Sequence, residues 1–337
     1  MPHPFFKAAR TLILAAAFLN ACFVTAAEKP GTFHNPVNPS ADPWMTWYDG
    51  YYYLSTTQGN CVRLWKAKSI VDLKDAEPVT VWEGGKGVWA AEFHQLESEG
   101  KKRWFCYFTK TDGPDEGHRM FVMQSKTSKI TGPYDKPVKI NTDPKDEFYA
   151  IDGTVMTMPD GTSYFLWAAH PGHIIRIAEM ENPWTLKGDS VYLPASGFGC
   201  PEVREGPFAI HHGDRMFLTY SACDTGKPDY AVGVLWMKDD ENPLLPDSWH
   251  QVKKPLLRRE DKNEVFGPGH HSFFKSPDGK EDWIAYHAKT TSEYTYSGRS
   301  TRIQQLLWDR KGMPIPVVPE SLDTAIKLPS GDPRARR

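Results

Sequence analysis

The sequence predicts an all-β fold, a five-bladed β-propeller, on three observations. Its 337 residues include 28 prolines and 26 glycines, a content that favours many short strands joined by turns over long helices. One unit, made of an alternating segment, a glycine-centred turn and a strongly aromatic strand, occurs five times. The turn glycines follow one another at 50, 61, 52 and 66 residues, the range of a propeller blade with insertions. A two-sheet sandwich is the structural rival, but it predicts no such regular unit.

In chain order, the turns are Asp49-Gly50, Glu99-Gly100, Asp160-Gly161, His212-Gly213 and Asp278-Gly279. An acidic residue before glycine, between apolar runs, is a strong hairpin signal because both positions tolerate left-handed backbone. The aromatic strands behind the turns are Tyr51–Ser55, Arg103–Tyr107, Ser163–Trp167, Met216–Tyr220 and Asp282–Tyr286. A third strand follows each hairpin, at Arg63–Ala67, Met120–Gln124, Ile174–Ala178, Ala231–Leu235 and Arg302–Leu306. Connectors bearing proline, such as Thr131-Gly-Pro133 and Glu181-Asn-Pro183, separate the units.

Outside the repeat, residues 1–27 read as a signal peptide. Lys7 and Arg10 precede the apolar run from Thr11 to Leu19, and small residues follow up to Ala26 and Ala27. That run is too short to span a bilayer permanently. The expectation is export to the periplasm or outside the cell, with lipidation at Cys22 as the alternative. Residues 28–330 then form a single propeller domain, and 331–337, ending Arg334-Ala-Arg-Arg337, a flexible basic tail. A net charge of −2 leaves no basic excess for nucleic acid. Cys61, Cys106, Cys200 and Cys223 have no metal-ligand spacing, so buried free thiols are expected; export permits disulfides, and their pairing stays open.

The candidate chemistry lies at the start of each unit. Counting back eight or nine residues from each turn glycine gives Asp42, Glu92, Asp152, Glu205 and His270. The first strand of a blade lies nearest the axis, so these five positions face one another across a central pocket. Like charges gathered there drive some pKa values up and others down. Glu205, in Arg204-Glu-Gly-Pro-Phe208, sits in an apolar and aromatic neighbourhood suited to a raised pKa and proton donation. His94, His118, His170 and His173 are scattered and lack zinc-site spacing.

These segments resemble glycoside hydrolase family 43. Asn35-Pro-Val-Asn-Pro-Ser-Ala-Asp42-Pro-Trp44 looks like the family's opening. Val88-Trp-Ala-Ala-Glu92 is similar to its Trp-Ala-Pro-Glu segment, with Ala91 in place of proline. Ala150-Ile-Asp152-Gly-Thr and Arg204-Glu205-Gly-Pro resemble the second and third acidic motifs. Gly267-Pro-Gly-His270-His271-Ser, and then Arg302-Ile-Gln with Leu307-Trp-Asp309, complete the order, over about residues 33 to 319. The resemblance implies an inverting hydrolase in which Asp42 is the general base, Glu205 the general acid and Asp152 the carboxylate that orients the acid. Such a pair needs a gap of roughly 6.5–9.5 Å to admit water. It further implies substrate contacts from Arg302 and, around the motif positions, from Trp44, Trp89, Glu92, His271 and His287. His270 matches a histidine that in many members helps hold a central ion, often calcium; the hydrolysis requires no cofactor.

Among members, the compact length and the phrases Glu205-Gly-Pro-Phe and Phe217-Leu-Thr-Tyr-Ser-Ala222 look most like α-L-arabinofuranosidases. The expected substrate is arabinan or an arabinose-decorated plant polysaccharide, losing terminal arabinose. β-Xylosidase or endo-arabinanase action on the same fold is one alternative, and a non-catalytic carbohydrate-binding propeller another. Exo action calls for a blocked groove, with the segments 143–149 and 290–299 as candidate walls.

Overall fold

The computed structural model describes residues 30–335, so the expected leader over 1–27, Cys22 and the last two arginines lie outside the described residues. Five antiparallel blades are arranged around one axis, as the repeat predicts. The first is built from Trp44–Tyr48, Tyr51–Ser55 and Gly59–Ala67. Its outer edge is the beginning of a long strand, Val79–Ser98, which then becomes the inner strand of the second blade. Two blades therefore share one seven-stranded sheet, which the sequence reading did not anticipate. The second blade continues through Lys101–Thr111, Arg119–Gln124 and Val138–Lys139.

The third blade runs Ala150–Thr157, Ser163–Ala169, Ile174–Asn182 and Thr185–Tyr192; the fourth runs Arg204–His212, Arg215–Ala222, Ala231–Lys238 and His250–Gln251. Phe266–Lys275, Asp282–Lys289 and Ser300–Leu306 form the fifth. The incoming chain supplies this blade's outer edge. Val37 N–H donates to Thr301 O at 2.9 Å, and the Asn35 side chain both donates to Ile303 O and accepts from Ile303 N–H. The ring closes by these bonds between distant parts of the chain. All five predicted aromatic strands are the second strands of blades.

Apolar layers sit between blades rather than at the axis. Phe105, Tyr107 and Met120 of the second blade pack on Phe165 and Trp167 of the third. Ile151, Leu166 and Ile177 of the third meet Met216, Leu218 and Leu235 of the fourth. Each blade is covered on both faces, which explains why consecutive residues such as Tyr52, Tyr53 and Leu54 are all buried. The axis is left for polar groups.

One device recurs at the mouth. Asp42, Ala90, Asp152, Gly206 and His270 have φ of 59°, 46°, 56°, 52° and 40°. In four blades the ladder slips there, with an extra residue on the inner strand. Such bulges bend a strand and re-aim side chains. Left-handed backbone at non-glycine residues costs of order 1 kcal/mol each and is concentrated at functional sites.

Two expectations are corrected. Cys200 and Cys223 form a disulfide, joining the loop before the fourth blade's inner strand to the end of its second strand, while Cys61 and Cys106 are buried thiols. Nor is the C-terminal segment a solvated tail as far as residue 335. Asp332 is buried, accepting from Ser69 Oγ at 2.7 Å and Ile70 N–H at 3.1 Å, and Arg334 pairs with Asp72.

Candidate active site

At the mouth, the left-handed turns bring three carboxylates into one cavity of about 440 Å³, lined by Asp42, Asp152 and Glu205 with His270, Trp89, Tyr149, His173 and Arg299 among its walls. Asp42 precedes the first blade's inner strand. Its Oδ1 lies 3.0 Å from His287 Nδ1, 3.3 Å from Arg299 Nη1 and 3.7 Å from His270 Nδ1. Burial alone would raise its pKa, but His270, Arg299 and His287 together hold it well below the ordinary carboxylate range. Asp42 is therefore an anion at any working pH.

Asp152 and Glu205 sit on neighbouring blades, tied by Gly206 N–H donating to Asp152 Oδ2 at 3.1 Å. Asp152 N–H donates to Thr109 Oγ1, fixing the bulge to the second blade. Burial, reinforced by the charges of Glu205 and Asp42 and opposed by His270 and His173, pushes Asp152 up to about 7. Glu205 accepts from Tyr230 Oη at 2.7 Å, and its Oε2 lies 3.1 Å from His173 Nε2. Burial raises the Glu205 pKa, but His173, Tyr230 and His270 together outweigh it and draw it below the usual value. The raised pKa expected at Glu205 thus belongs to its partner. The two acids feel each other's charge and titrate as a pair.

Other sequence expectations divide cleanly. Trp89 lines the cavity and its ring stacks on His118 at 3.8 Å. Trp44 does not reach it: the kink at Asp42-Pro43 turns the indole into an apolar layer, 5.3 Å from Phe93. Glu92 lies two residues beyond the second blade's kink at Ala90, is not among the residues that line the cavity, and pairs with His94 at 2.9 Å. His271 bonds Thr219 Oγ1 and is buried, with burial pushing its pKa down to about 3. His287 stands behind Asp42 and contacts Thr225, so it supports the carboxylate and does not face the cavity. Burial pushes its pKa down to about 4, leaving it a neutral partner.

Arg302 is fully buried opposite Tyr286, with no hydrogen-bond partner for its guanidinium among the described residues. Arg299, three residues earlier, is the arginine at the site. His173, which spacing alone had left among the scattered histidines, is brought to Glu205 by the left-handed turn through Gly172 and His173. The His-Pro-Gly-His run was its only sequence signal, and Tyr230 had none. Both candidate segments contribute to the cavity lining: Tyr149 from one, Tyr296 and Arg299 from the other.

His270 lies 3.7 Å from Asp42 and 3.8 Å from Asp152. Among the described residues no three His, Cys, Asp or Glu side chains converge as a metal cage, and this nitrogen-bearing corner does not match the all-oxygen shell that calcium favours. No step is routed through an ion.

Comparison with known proteins agrees with the geometry. An extracellular exo-α-(1→5)-L-arabinofuranosidase of Streptomyces avermitilis is 30% identical over 335 residues, covering 90% of this chain and 68% of that protein. A protein of the same name from Streptomyces chartreusis is 30% identical over 289 residues, covering 80% and 86%. The crystal structure of α-L-arabinofuranosidase from Lactobacillus brevis superposes with a TM-score of 0.79 at 30% identity, over 87% of this chain and 98% of that one. The family model for Glycosyl hydrolases family 43 matches residues 33–314, from the segment that closes the ring to the end of the fifth blade, and the chain belongs to that family.

Proposed function

We propose that the protein is an inverting exo-acting α-L-arabinofuranosidase that removes terminal arabinose from arabinan or arabinose-decorated polysaccharide. The observation that carries this reading is geometric: three buried carboxylates, Asp42, Asp152 and Glu205, line one cavity, with Asp42 held ionised by its cationic neighbours and Asp152, raised to about 7, tied to the acid's backbone. In the reaction, Asp42 takes a proton from water as its oxygen attacks the anomeric carbon. Glu205 gives its proton to the glycosidic oxygen as that bond breaks on the opposite face of the sugar. Asp152 holds the Gly206 N–H and so fixes the acid's backbone, and its charge sets when the acid reloads.

Terminal rather than internal cleavage is supported by the walls that carry Tyr149, Tyr296 and Arg299 around the cavity. The extracellular relatives support export, and among the described residues no helix is long and apolar enough to cross a membrane. Purified protein is assayed on nitrophenyl α-L-arabinofuranoside, nitrophenyl β-xyloside and linear arabinan, with the product anomer read by NMR. Arabinose release with an inverted anomer is expected. Faster xyloside cleavage, internal fragments from arabinan, or a retained anomer each overturn a stated part of the reading.

A further inference from the structure

A second cavity, of about 650 Å³, opens beside the catalytic one, and Tyr149 belongs to the walls of both. One side is the segment from Val138 to Phe148, the other the third blade with its outer hairpin at Trp184. Two large aromatics on these sides are exposed, Phe148 at 40% and Trp184 at 36%. Arg176 also lines the cavity; its Nη1 donates to Ser190 Oγ at 3.0 Å, its Nη2 to Tyr192 Oη, and its guanidinium stacks 4.0 Å over the Tyr192 ring. Its Nε is buried with no protein partner.

The charges that line this cavity are of both signs, positive at Arg176 and negative at the carboxylates Asp143 and Asp189. Lys139 is paired with Asp146 outside it, and Asp143 accepts from the backbone N–H groups of Lys145, Glu147 and Phe148. What remains toward the opening is aromatic surface, the edge of one planar guanidinium, and the amide and carboxylate of Asn141 and Asp189. Flat apolar rings suit the C–H faces of a sugar, and planar polar groups suit paired hydroxyls. With Arg176 set against Asp143 and Asp189, the lining offers an anion no net positive field.

We propose that this cavity is a second binding site for a neutral oligosaccharide, holding the part of the substrate chain that lies beyond the residue being cut. The inference rests on the function proposed above for the carbohydrate class, and on continuity across Tyr149 for the route. The rings of Tyr149, His170 and His173 stand 4.9 and 5.8 Å apart, forming a shared partition that leads back to Glu205.

The test compares Trp184→Ala and Phe148→Ala with the parent on linear arabinan and on nitrophenyl arabinofuranoside, a ligand too short to reach both cavities. Each variant should raise KM for arabinan roughly 3- to 10-fold, as loss of one aromatic contact does, with kcat unchanged and the nitrophenyl KM unmoved. Trp184→Phe should restore most of the loss. Unaltered KM for arabinan, or an equal rise on both substrates, overturns the proposal. If Trp184→Ala fails to fold, Arg176→Gln provides the same comparison. Arabinan binding by the Glu205→Gln protein, slowed on arabinan, followed by calorimetry with and without Trp184→Ala, reads the second site even if no arabinoside is hydrolysed. Loss of affinity in the double variant sustains the site independently of the activity; equal affinity removes it.

Discussion

Replacing Asp152 by Asn should make the protein more stable and less active, with a stability gain that depends on pH. Asp152 moves from an ordinary value of 3.8 to about 7 on folding. Between those values the folded state binds more protons than the unfolded one, so stability falls as pH rises through that window. Below about 4 the carboxyl is neutral in both states and contributes nothing; above about 7 the whole penalty is present. Three pKa units at 1.36 kcal/mol each set a ceiling of about 4 kcal/mol. Glu205 shares the titration, so a gain of about 2–4 kcal/mol is expected for the Asn variant above pH 7. Asn keeps an oxygen for the Gly206 N–H, so the bulge stays anchored. At about 2 °C per kcal/mol for a chain of this size, Tm should rise by about 4–8 °C at pH 8 and by much less at pH 4.5. Thermal melts of both proteins across pH 4.5–8 test this, with arabinoside turnover measured in parallel. A variant that is no more stable at pH 8, or a gain equal at both pH values, refutes the argument that burial and like charges strain Asp152.

Two more predictions concern the acid and the bulge. Glu205→Gln should lower turnover of arabinan by roughly 10²–10⁴-fold but spare much of that on a nitrophenyl glycoside, whose leaving group needs no proton; Asp42→Asn should fall equally on both, as kcat on the two substrates will tell. Gly153→Ala should cost about 1–3 kcal/mol and depress kcat, because its new Cβ would stand 2.2 Å from Phe165 Cζ and 2.6 Å from Met120 Cε, both buried, beside Asp152. A denaturant melt at unchanged midpoint would contradict that packing.

Much of the fold was legible because turn chemistry is local. Asp49-Gly50 has φ of 49° and 78°, the pair of left-handed residues that a two-residue hairpin demands, and Tyr51–Ser55 follows as a strand with the predicted bounds. What stayed hidden depends on distant segments. Nothing near Val37 signals that it will edge the fifth blade, and Val88-Trp89 gives no sign that one strand serves two blades. The Cys200–Cys223 bond is equally non-local in its logic, since four cysteines permit several pairings.

The site was readable to the extent that strand alternation survives, and it fails where the bulges begin. Counting from the turns reached Asp42, Asp152 and His270, which are themselves the left-handed residues, and Glu205, which immediately precedes one. The same count in the second blade reached Glu92, although the kink there is at Ala90, and past the extra residue Glu92 no longer lines the cavity. His271, next to a bulge, and Trp44, next to the left-handed kink at Asp42, were misplaced because a step of one or two residues past such a break no longer predicts a face. Arg299 and His173 arrive from loops, where periodicity says nothing. The strain that breaks alternation is therefore the same strain that gathers the acids. A sequence can mark which carboxylates stand at the mouth, but the histidine and arginine that set their charge are chosen by loops whose shape only the folded chain determines.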